Sequence, residues 1–267
     1  MKRQFDLGGV WQWRRVGEAD AHAGTVPGSV LADMLALGLA PDPYWRDNEY
    51  AVRELFTADF VYEKTFTLSP EALAADELTL VLEGVDTLAE ISLNGEPIAT
   101  TADMHRTYRL PVKGRVTEGE NRLSVTLRSS LNHIREADMN SDITYASTGC
   151  LHGNAVLRKA HSMFGWDWGP QLPDAGIFRP IYLEIASRAR IADFKHTQRH
   201  EGGAVRLMLA CGVQRPIACA PLMVRFRLTA PDGQATVAET PLAAGELEAC
   251  AELIVNDPQL WWPNGWG

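Results

Sequence analysis

Apolar residues recur at every second position through much of this chain. Phe60, Tyr62, Phe66 and Leu68 share one parity, with Val61, Glu63, Thr65 and Thr67 on the other. The same alternation runs through Leu78, Leu80 and Leu82, through Ala89, Ile91 and Leu93, through Leu123, Val125 and Leu127, and through Ile181, Leu183 and Ile185. A period of two puts successive side chains on opposite faces, so each stretch predicts a half-buried antiparallel strand. Asn94-Gly95 directly follows one of them and predicts a tight hairpin, because a type I′ turn needs positive φ at both central residues. Helices are minor. Ser29 is placed to cap a short helix carrying Val30, Leu31, Met34 and Leu35, with Gly38 to end it, and Ser69-Pro70-Glu71 starts another turn or two. Many short strands with few helices predict an all-β fold, a β-sandwich of jelly-roll type.

The strand rhythm stops between Ser129 and Gly176. A connector of roughly 48 residues is too long to be passive and predicts a functional loop mounted on the sandwich. After Ile185 the character changes. Ser187 to Ala192 reads as a linker, and a second strand series follows: Val205, Leu207 and Leu209; Leu222, Val224, Phe226 and Leu228; Ala251, Leu253 and Val255, with a turn at Pro231-Asp232-Gly233. These predict a first domain over 1–186 and a smaller immunoglobulin-like sandwich over 192–267. Such a sandwich needs about seven strands over ~100 residues, so the second domain is expected to be incomplete at its C-terminal edge.

The interrupted segment holds the chemistry. Phe164-Gly165-Trp166-Asp167-Trp168-Gly169-Pro170-Gln171-Leu172-Pro173-Asp174 sets one carboxylate between two of the chain's eight tryptophans, inside a Gly/Pro-rich loop. Indole faces stack on the C–H faces of sugars, and a carboxylate accepts hydrogen bonds from two hydroxyls at once. The same residues also fit a core tryptophan pair with a surface turn between them. Composition narrows the partners. A formal net charge of −9, with no basic run longer than Arg188-Ala189-Arg190, argues against a nucleic-acid surface and leaves a neutral polyol unaffected. No apolar run approaches the ~20 residues that span a bilayer, and the N-terminus lacks a signal-peptide pattern. Cys150, Cys211, Cys219 and Cys250 lack C-x-x-C spacing, so no zinc site is expected, and they read as reduced thiols of a cytoplasmic protein; no cofactor is expected.

Ordered short matches now resemble one family. Leu157-Arg158-Lys159-Ala160, Phe164-Gly165-Trp166-Asp167-Trp168-Gly169-Pro170 and Ala175-Gly176-Ile177-Phe178-Arg179-Pro180 resemble the signature of the β-mannosidases of glycoside hydrolase family 2. Val26-Pro27-Gly28-Ser29-Val30, Asp42-Pro43-Tyr44, Gly84-Val85-Asp86-Thr87, Leu93-Asn94-Gly95, Asp103-Met104-His105-Arg106-Thr107-Tyr108 and Trp261-Trp262-Pro263-Asn264-Gly265 are similar to other parts of the same family, in order. The resemblance implies a sugar-binding jelly roll, an immunoglobulin-like sandwich and then a (β/α)₈ barrel that carries both catalytic carboxylates. That barrel is expected beyond Gly267, so no catalytic residue is assigned in this chain and the chain alone is expected to be inactive. The implied partners are a mannoside or mannose-containing oligosaccharide and the barrel itself.

The resemblance also implies that Asp167 reaches the glycone site and accepts hydrogen bonds from hydroxyls away from the reacting carbon. Trp166 and Trp168 either wall the pocket or pin the loop. Arg158, Lys159 and His161 are weaker sugar-contact candidates, and Arg158 and Lys159 alternatively ion-pair with Asp174 or anchor the loop. His152 is another pocket-lining candidate, while Asp138, Asn140 and Asp142 read as solvated turn residues. Trp45, Asp47 and Asn48 are candidates to frame the same face, and Trp261, Trp262 and Trp266 read as interface packing. Three other readings stay open: a free-standing carbohydrate-binding module, a structural β-sandwich in which Asp167 is buried in a salt bridge with Arg158, Lys159 or Arg179, and a hydrolase using Asp167 with Asp174.

Overall fold

The computed structural model describes residues 2–143, 149–167, 169–186, 189–215 and 220–266. In chain order its first elements are β1 (Lys2–Asp6), β2 (Gly9–Arg15), β3 (His22–Val26), α1 (Val30–Ala36), α2 (Asn48–Leu55), β4 (Phe60–Leu68), α3 (Pro70–Leu73) and β5 (Glu77–Leu82). Then come β6 (Leu88–Leu93), β7 (Glu96–Ala102), β8 (Tyr108–Pro111), β9 (Gly119–Leu127), α4 (Ser130–Met139), β10 (Phe164–Trp166), β11 (Gly169–Gln171) and β12 (Ile181–Ala186). The last five are β13 (Arg190–Glu201), β14 (Ala204–Gln214), β15 (Leu222–Thr229), β16 (Ala235–Leu242) and β17 (Glu248–Asn256). The chain divides into two compact units, Arg3–Ile185 and Ala186–Gly267 with Met1–Lys2.

The first unit is an all-β sandwich, as the alternation predicts. A six-stranded sheet in the order β3-β2-β4-β9-β6-β7 and a four-stranded sheet in the order β1-β12-β5-β8 contribute their apolar faces to one core. Trp11, Trp13, Phe60, Tyr62, Leu80, Leu123, Val125 and Ile181 are among its buried members. In β4 the parity holds at its second half: Phe66 and Leu68 are buried while Thr65 and Thr67 are exposed. In β5 every residue from Leu78 to Leu82 is buried, so this strand is covered on both faces.

Turn and cap chemistry holds the sandwich's edges. Asn94 and Gly95 take φ of 54° and 84° between β6 and β7, the positive angles their sequence predicts. Asn94 then ties the hairpin to β9: its Oδ1 accepts from the Arg122 N–H at 2.9 Å, and its Nδ2 donates to Asn121 Oδ1 at 2.9 Å. Asn121 is buried and fully used. Its Nδ2 donates to the carbonyls of Thr117 and Gly119 at 2.8 and 3.1 Å, and its Oδ1 also accepts from the Thr117 N–H at 2.8 Å. Ser29 and Ser69 cap α1 and α3 by accepting from Ala32 and Ala72, both at 3.3 Å.

Two helices depart from the sequence reading. The segment 129–176 is not free of regular structure: α4 opens it, with Ser129 Oγ accepting from the Asn132 N–H at 3.0 Å. Helix α4 buries only Ser130, Leu131 and Ile134, and α2 buries only Val52, so neither leaves an apolar stripe long enough to read.

The second unit pairs a three-stranded sheet, β13-β14-β17, with a two-stranded ribbon, β15-β16. Val205, Leu207, Leu209, Phe226 and Leu253 form its core. Pro231-Asp232-Gly233 makes the turn of the ribbon, with the Gly233 N–H donating to the Ala230 carbonyl at 2.9 Å. Residues Arg190 to Ala192, predicted as linker, begin the long strand β13 instead; its residues are almost all exposed, so no alternation marks it. A cleft of about 410 Å³ opens among Phe194, Leu207, Leu209, Val224, Phe226 and Leu253.

Replacing Asn121 should test how much the β6–β9 corner depends on one amide. Asn121→Ala leaves several buried main-chain groups unpaired and should cost roughly 2–4 kcal/mol in urea unfolding. Thr65→Ala, on the exposed face of the neighbouring strand, should stay within about 0.5 kcal/mol.

Candidate functional site: a hairpin tip held from beneath

The segment that carries the aromatic-acidic motif is fastened to the sandwich by one buried cation. Lys159 is only 2% exposed. Its ammonium forms an ion pair with the Asp86 carboxylate and donates to the main-chain carbonyl of Asp174 at 2.6 Å. Burial pushes the Lys159 pKa below the ordinary lysine value, and the Asp86 charge beside it works in the opposite direction. Asp86 is itself buried and clipped in place. Its N–H donates to the Gly176 carbonyl at 2.8 Å, the Gly176 N–H returns a bond to the Asp86 carbonyl at 3.2 Å, and the Thr87 hydroxyl donates to its carboxylate. On either side of Lys159, the Met104 N–H donates to the Arg158 carbonyl at 3.0 Å and the Ala160 N–H to Met104 Sδ at 2.9 Å.

Asp174 closes the far end of the segment. Its Oδ1 accepts from the N–H groups of Leu31 at 3.0 Å and Ala175 at 2.7 Å, which binds the loop to the first turn of α1. Burial raises the Asp174 pKa, against the hydrogen bonds from Ser29, Leu31 and Ala175 that favour its charged form.

Between these fastenings β10 and β11 form a short ribbon, pairing Phe164 with Gln171 and Trp166 with Gly169. Phe164 is fully buried in a small cluster with Leu131 and Ile134 of α4 and Leu157. The Leu151 N–H donates to the Phe164 carbonyl at 2.9 Å, and the Cys150 thiol to the Gly165 carbonyl at 2.9 Å. On the other strand the Gln171 N–H donates to Glu49 Oε1 at 2.9 Å, the Arg53 guanidinium donates to Gln171 Oε1, and Gln171 Nε2 donates to the Gly149 carbonyl at 3.1 Å. Gly149 takes φ of +78°, and a Cβ there would stand 2.8 Å from the Asp167 nitrogen, so a side chain is excluded at this close approach.

Asp167 therefore sits at the ribbon's exposed tip. Its carboxylate makes no hydrogen bond or ion pair with a described residue, unlike the inward salt bridge to Arg158, Lys159 or Arg179 of the purely structural reading. Trp166 beside it is 50% exposed. Trp168 lies outside the described residues. Arg158 and His161 are exposed, His161 at the start of a single 3₁₀ turn. Lys159 is sealed inside and committed to Asp86 and the Asp174 carbonyl, the geometry of the loop-anchoring alternative rather than of a sugar contact. The Asp174 carboxylate accepts from Leu31 and Ala175 at the first turn of α1, so it is engaged there rather than open to pair with Asp167. His152 Nδ1 stands 3.7 Å from Asp138 Oδ2, and Asn140 ends α4 with its N–H on the Glu136 carbonyl at 3.1 Å. Trp45 is exposed just ahead of α2, with the Arg46 guanidinium 5.3 Å above its ring. Trp261, Trp262 and Trp266, read as interface packing, are exposed in the second unit. Among the described residues no three His, Cys, Asp or Glu side chains gather to hold a metal ion. The residues the sequence reading missed are Glu49 and Arg53, together with the role of Gln171 inside the motif. Glu49 and Arg53 belong to no motif and lie 122 and 118 positions from Gln171, so nothing in the sequence signals their union with it.

Comparison with known proteins gives a consistent picture. Residues 11–179 match the family described as glycosyl hydrolase 2 galactose-binding domain-like. The β-mannosidase B of Emericella nidulans is 30% identical over 273 residues, covering 99% of this chain and 32% of that protein. The β-mannosidase B of Thermothelomyces thermophilus is 29% identical, covering 96% of this chain and 30% of that protein. The crystal structure of the β-D-mannosidase from Dictyoglomus thermophilum superposes with a TM-score of 0.88 at 30% identity, covering 100% of this chain and 33% of that one. The chain thus spans about a third of the length of these relatives.

The raised Asp174 pKa has a measurable sign. Its folded form takes up a proton at a higher pH than the unfolded chain does. The group therefore favours folding below the ordinary carboxyl range and loses that contribution as pH rises through its folded pKa. Asp174→Asn keeps Oδ1 as the acceptor for Leu31 and Ala175 and removes the titration. Thermal melts across pH 4 to 7 should show a flatter stability curve for the variant, with no loss at neutral pH.

Proposed function

The chain belongs to glycoside hydrolase family 2 through its galactose-binding-like domain, and from that premise we propose that it is the non-catalytic, N-terminal part of a retaining exo-β-mannosidase. In this reading the polypeptide as a whole hydrolyses terminal, non-reducing β-D-mannose residues, and this part supplies the hairpin Phe164–Gln171 to glycone recognition. The first unit, through about residue 186, is the sugar-binding jelly roll. The second, from about residue 192, is an immunoglobulin-like sandwich with an open apolar cleft of about 410 Å³. The free thiols of Cys150, Cys211 and Cys250 suit a reducing, cytoplasmic setting.

One observation carries the role of the hairpin. Asp167 holds an exposed carboxylate without a described partner, while Lys159 and Asp174 in the same segment are turned inward and committed. A charged acceptor at an exposed tip suits hydroxyl recognition. Retaining glycosidases place two carboxyl groups ~5–5.5 Å apart around the anomeric carbon, one to attack and one to protonate the leaving oxygen. Neither role is assigned to this chain. Asp167 accepts hydrogen bonds from hydroxyls away from that carbon, each worth on the order of 1.5–3 kcal/mol for a charged acceptor. Such a contact also rejects sugars whose hydroxyl is missing or points elsewhere. The half-exposed face of Trp166 offers an apolar wall beside it.

Two measurements test this reading. The isolated chain should not hydrolyse an aryl β-mannoside; turnover abolished by changing Asp167 would overturn the non-catalytic assignment. In the longer polypeptide that carries this chain, Asp167→Ala should lower kcat/KM by roughly 2–3 kcal/mol, about thirty- to 150-fold, with an unchanged circular dichroism spectrum. Wild-type kinetics would remove Asp167 from the site.

A further inference from the structure

We infer that Arg53 and Gln171 are positioning residues that hold the peptide carrying Asp167, so that sugar affinity depends on a helix outside the motif. This rests on the reading of Asp167 as the glycone-binding carboxylate. The tip of the ribbon has little hold of its own, since Asp167 is exposed and Trp166 half-exposed. Its fixity comes from the stem and from Gly149, whose backbone lies against the Trp166–Asp167 peptide.

Gln171 is the hub of that support. Its N–H is taken by Glu49, its Oε1 by Arg53, and its Nε2 donates to the Gly149 carbonyl. The amide matters because it accepts at one end and donates at the other. A carboxylate there would keep the bond from Arg53 and turn a second acceptor toward the Gly149 carbonyl. Bonds therefore run from Arg53 through Gln171 to Gly149, and Gly149 abuts the backbone of Asp167. Glu49 and Arg53 stand four residues apart on α2, which puts both on the face turned to β11. Arg53 is also restrained, with its guanidinium 5.3 Å from the Tyr50 ring centroid and its Nε 3.8 Å from Glu54 Oε1.

The opposite stem strand is held by a different helix, and the two helices are joined. Phe164 packs on Leu131 and Ile134 of α4, and Arg135 of α4 donates to Glu54 of α2 at 2.7 Å. Both strands of the ribbon are thus held by one two-helix frame. Of its residues only those in the ribbon belong to the aromatic-acidic motif.

The test is a double-mutant cycle in the longer polypeptide, assayed on an aryl β-mannoside. Arg53→Met and Gln171→Met should each lower kcat/KM about ten- to a hundredfold. The loss should divide between kcat and KM as it does for Asp167→Ala. A partly unfolded population would lower kcat and leave KM unchanged, so the division separates positioning from loss of fold. In the Asp167→Ala background the same changes should have almost no further effect, because the group they position is gone. Should Arg53→Met fail to fold, Gln171→Glu probes the same link, since it keeps the acceptor for Arg53 and loses only the donor to Gly149. If Asp167→Ala is impaired while the Arg53 and Gln171 variants behave as wild type, or if their effects add in full, the positioning role is overturned and the sugar reading stands. If Asp167→Ala itself is wild type, both fall. In the 267-residue chain, hydrogen exchange at residues 149 and 165–167 should quicken in Gln171→Met while β4 stays protected; unchanged exchange there would also overturn the role.

Discussion

A buried ammonium organises the end of this sandwich that carries the Phe164–Gln171 segment. Lys159 is removed from water, paired with Asp86 and bonded to the Asp174 carbonyl. An isolated charge in such a place would be prohibitive, so the pair constrains both partners at once. Asp86 belongs to the turn between β5 and β6, and Asp174 to the segment that returns toward β12. The Lys159 side chain thus closes a loop of the chain onto the sandwich. A buried pair of this kind adds little net stability compared with well-packed apolar residues. What it does here is tie the Asp174 backbone and the β5–β6 turn to one side chain, which fixes both ends of the contact.

From that fastening the charges of the segment sort into two groups. Lys159 and Asp174 point inward and are consumed by structure, the first by Asp86 and the second by the first turn of α1. Asp167 is exposed at a ribbon tip and meets no described partner, which is what the proposed sugar contact requires. The separation matters for chemistry. A carboxylate engaged by its own protein would compete with a sugar hydroxyl for the same lone pairs, whereas an exposed one on a fixed backbone exchanges water for hydroxyl at little structural cost. Sites of this type lie on loops but derive their accuracy from what lies beneath them. Beneath this one lie Phe164, Gly149 and the Gln171 amide.

Much of this was legible in the chain because each signal is local. The parity of β6, β9 and the second half of β4, the Asn94-Gly95 turn and the Ser29 and Ser69 caps each follow from a few neighbouring residues whose physics does not wait for the fold. What was not legible is either weakly patterned or distant. Helices α2 and α4 bury too few apolar side chains to show a period, and β13 is exposed on both faces. Lys159 is chemically a surface residue until Asp86, 73 positions away, is folded onto it. Glu49 and Arg53 meet Gln171 across 122 and 118 positions. Asp167 was readable as a candidate because its aromatic neighbours mark it, and its exposure is a fact only of the folded chain.

The most direct measurement is the protease sensitivity of residues 149–176 in Lys159→Met, set against the cooperative unfolding of the whole first unit. Removing one member leaves Asp86 buried and unpaired, at a cost of about 3–5 kcal/mol. Cleavage by a nonspecific protease should quicken within 149–176 well before the sandwich unfolds, while β4 and β9 keep their protection. If that segment resists cleavage as well as it does in the parent chain, the buried pair does not hold the hairpin, and the tip that carries Asp167 owes its placement to something else.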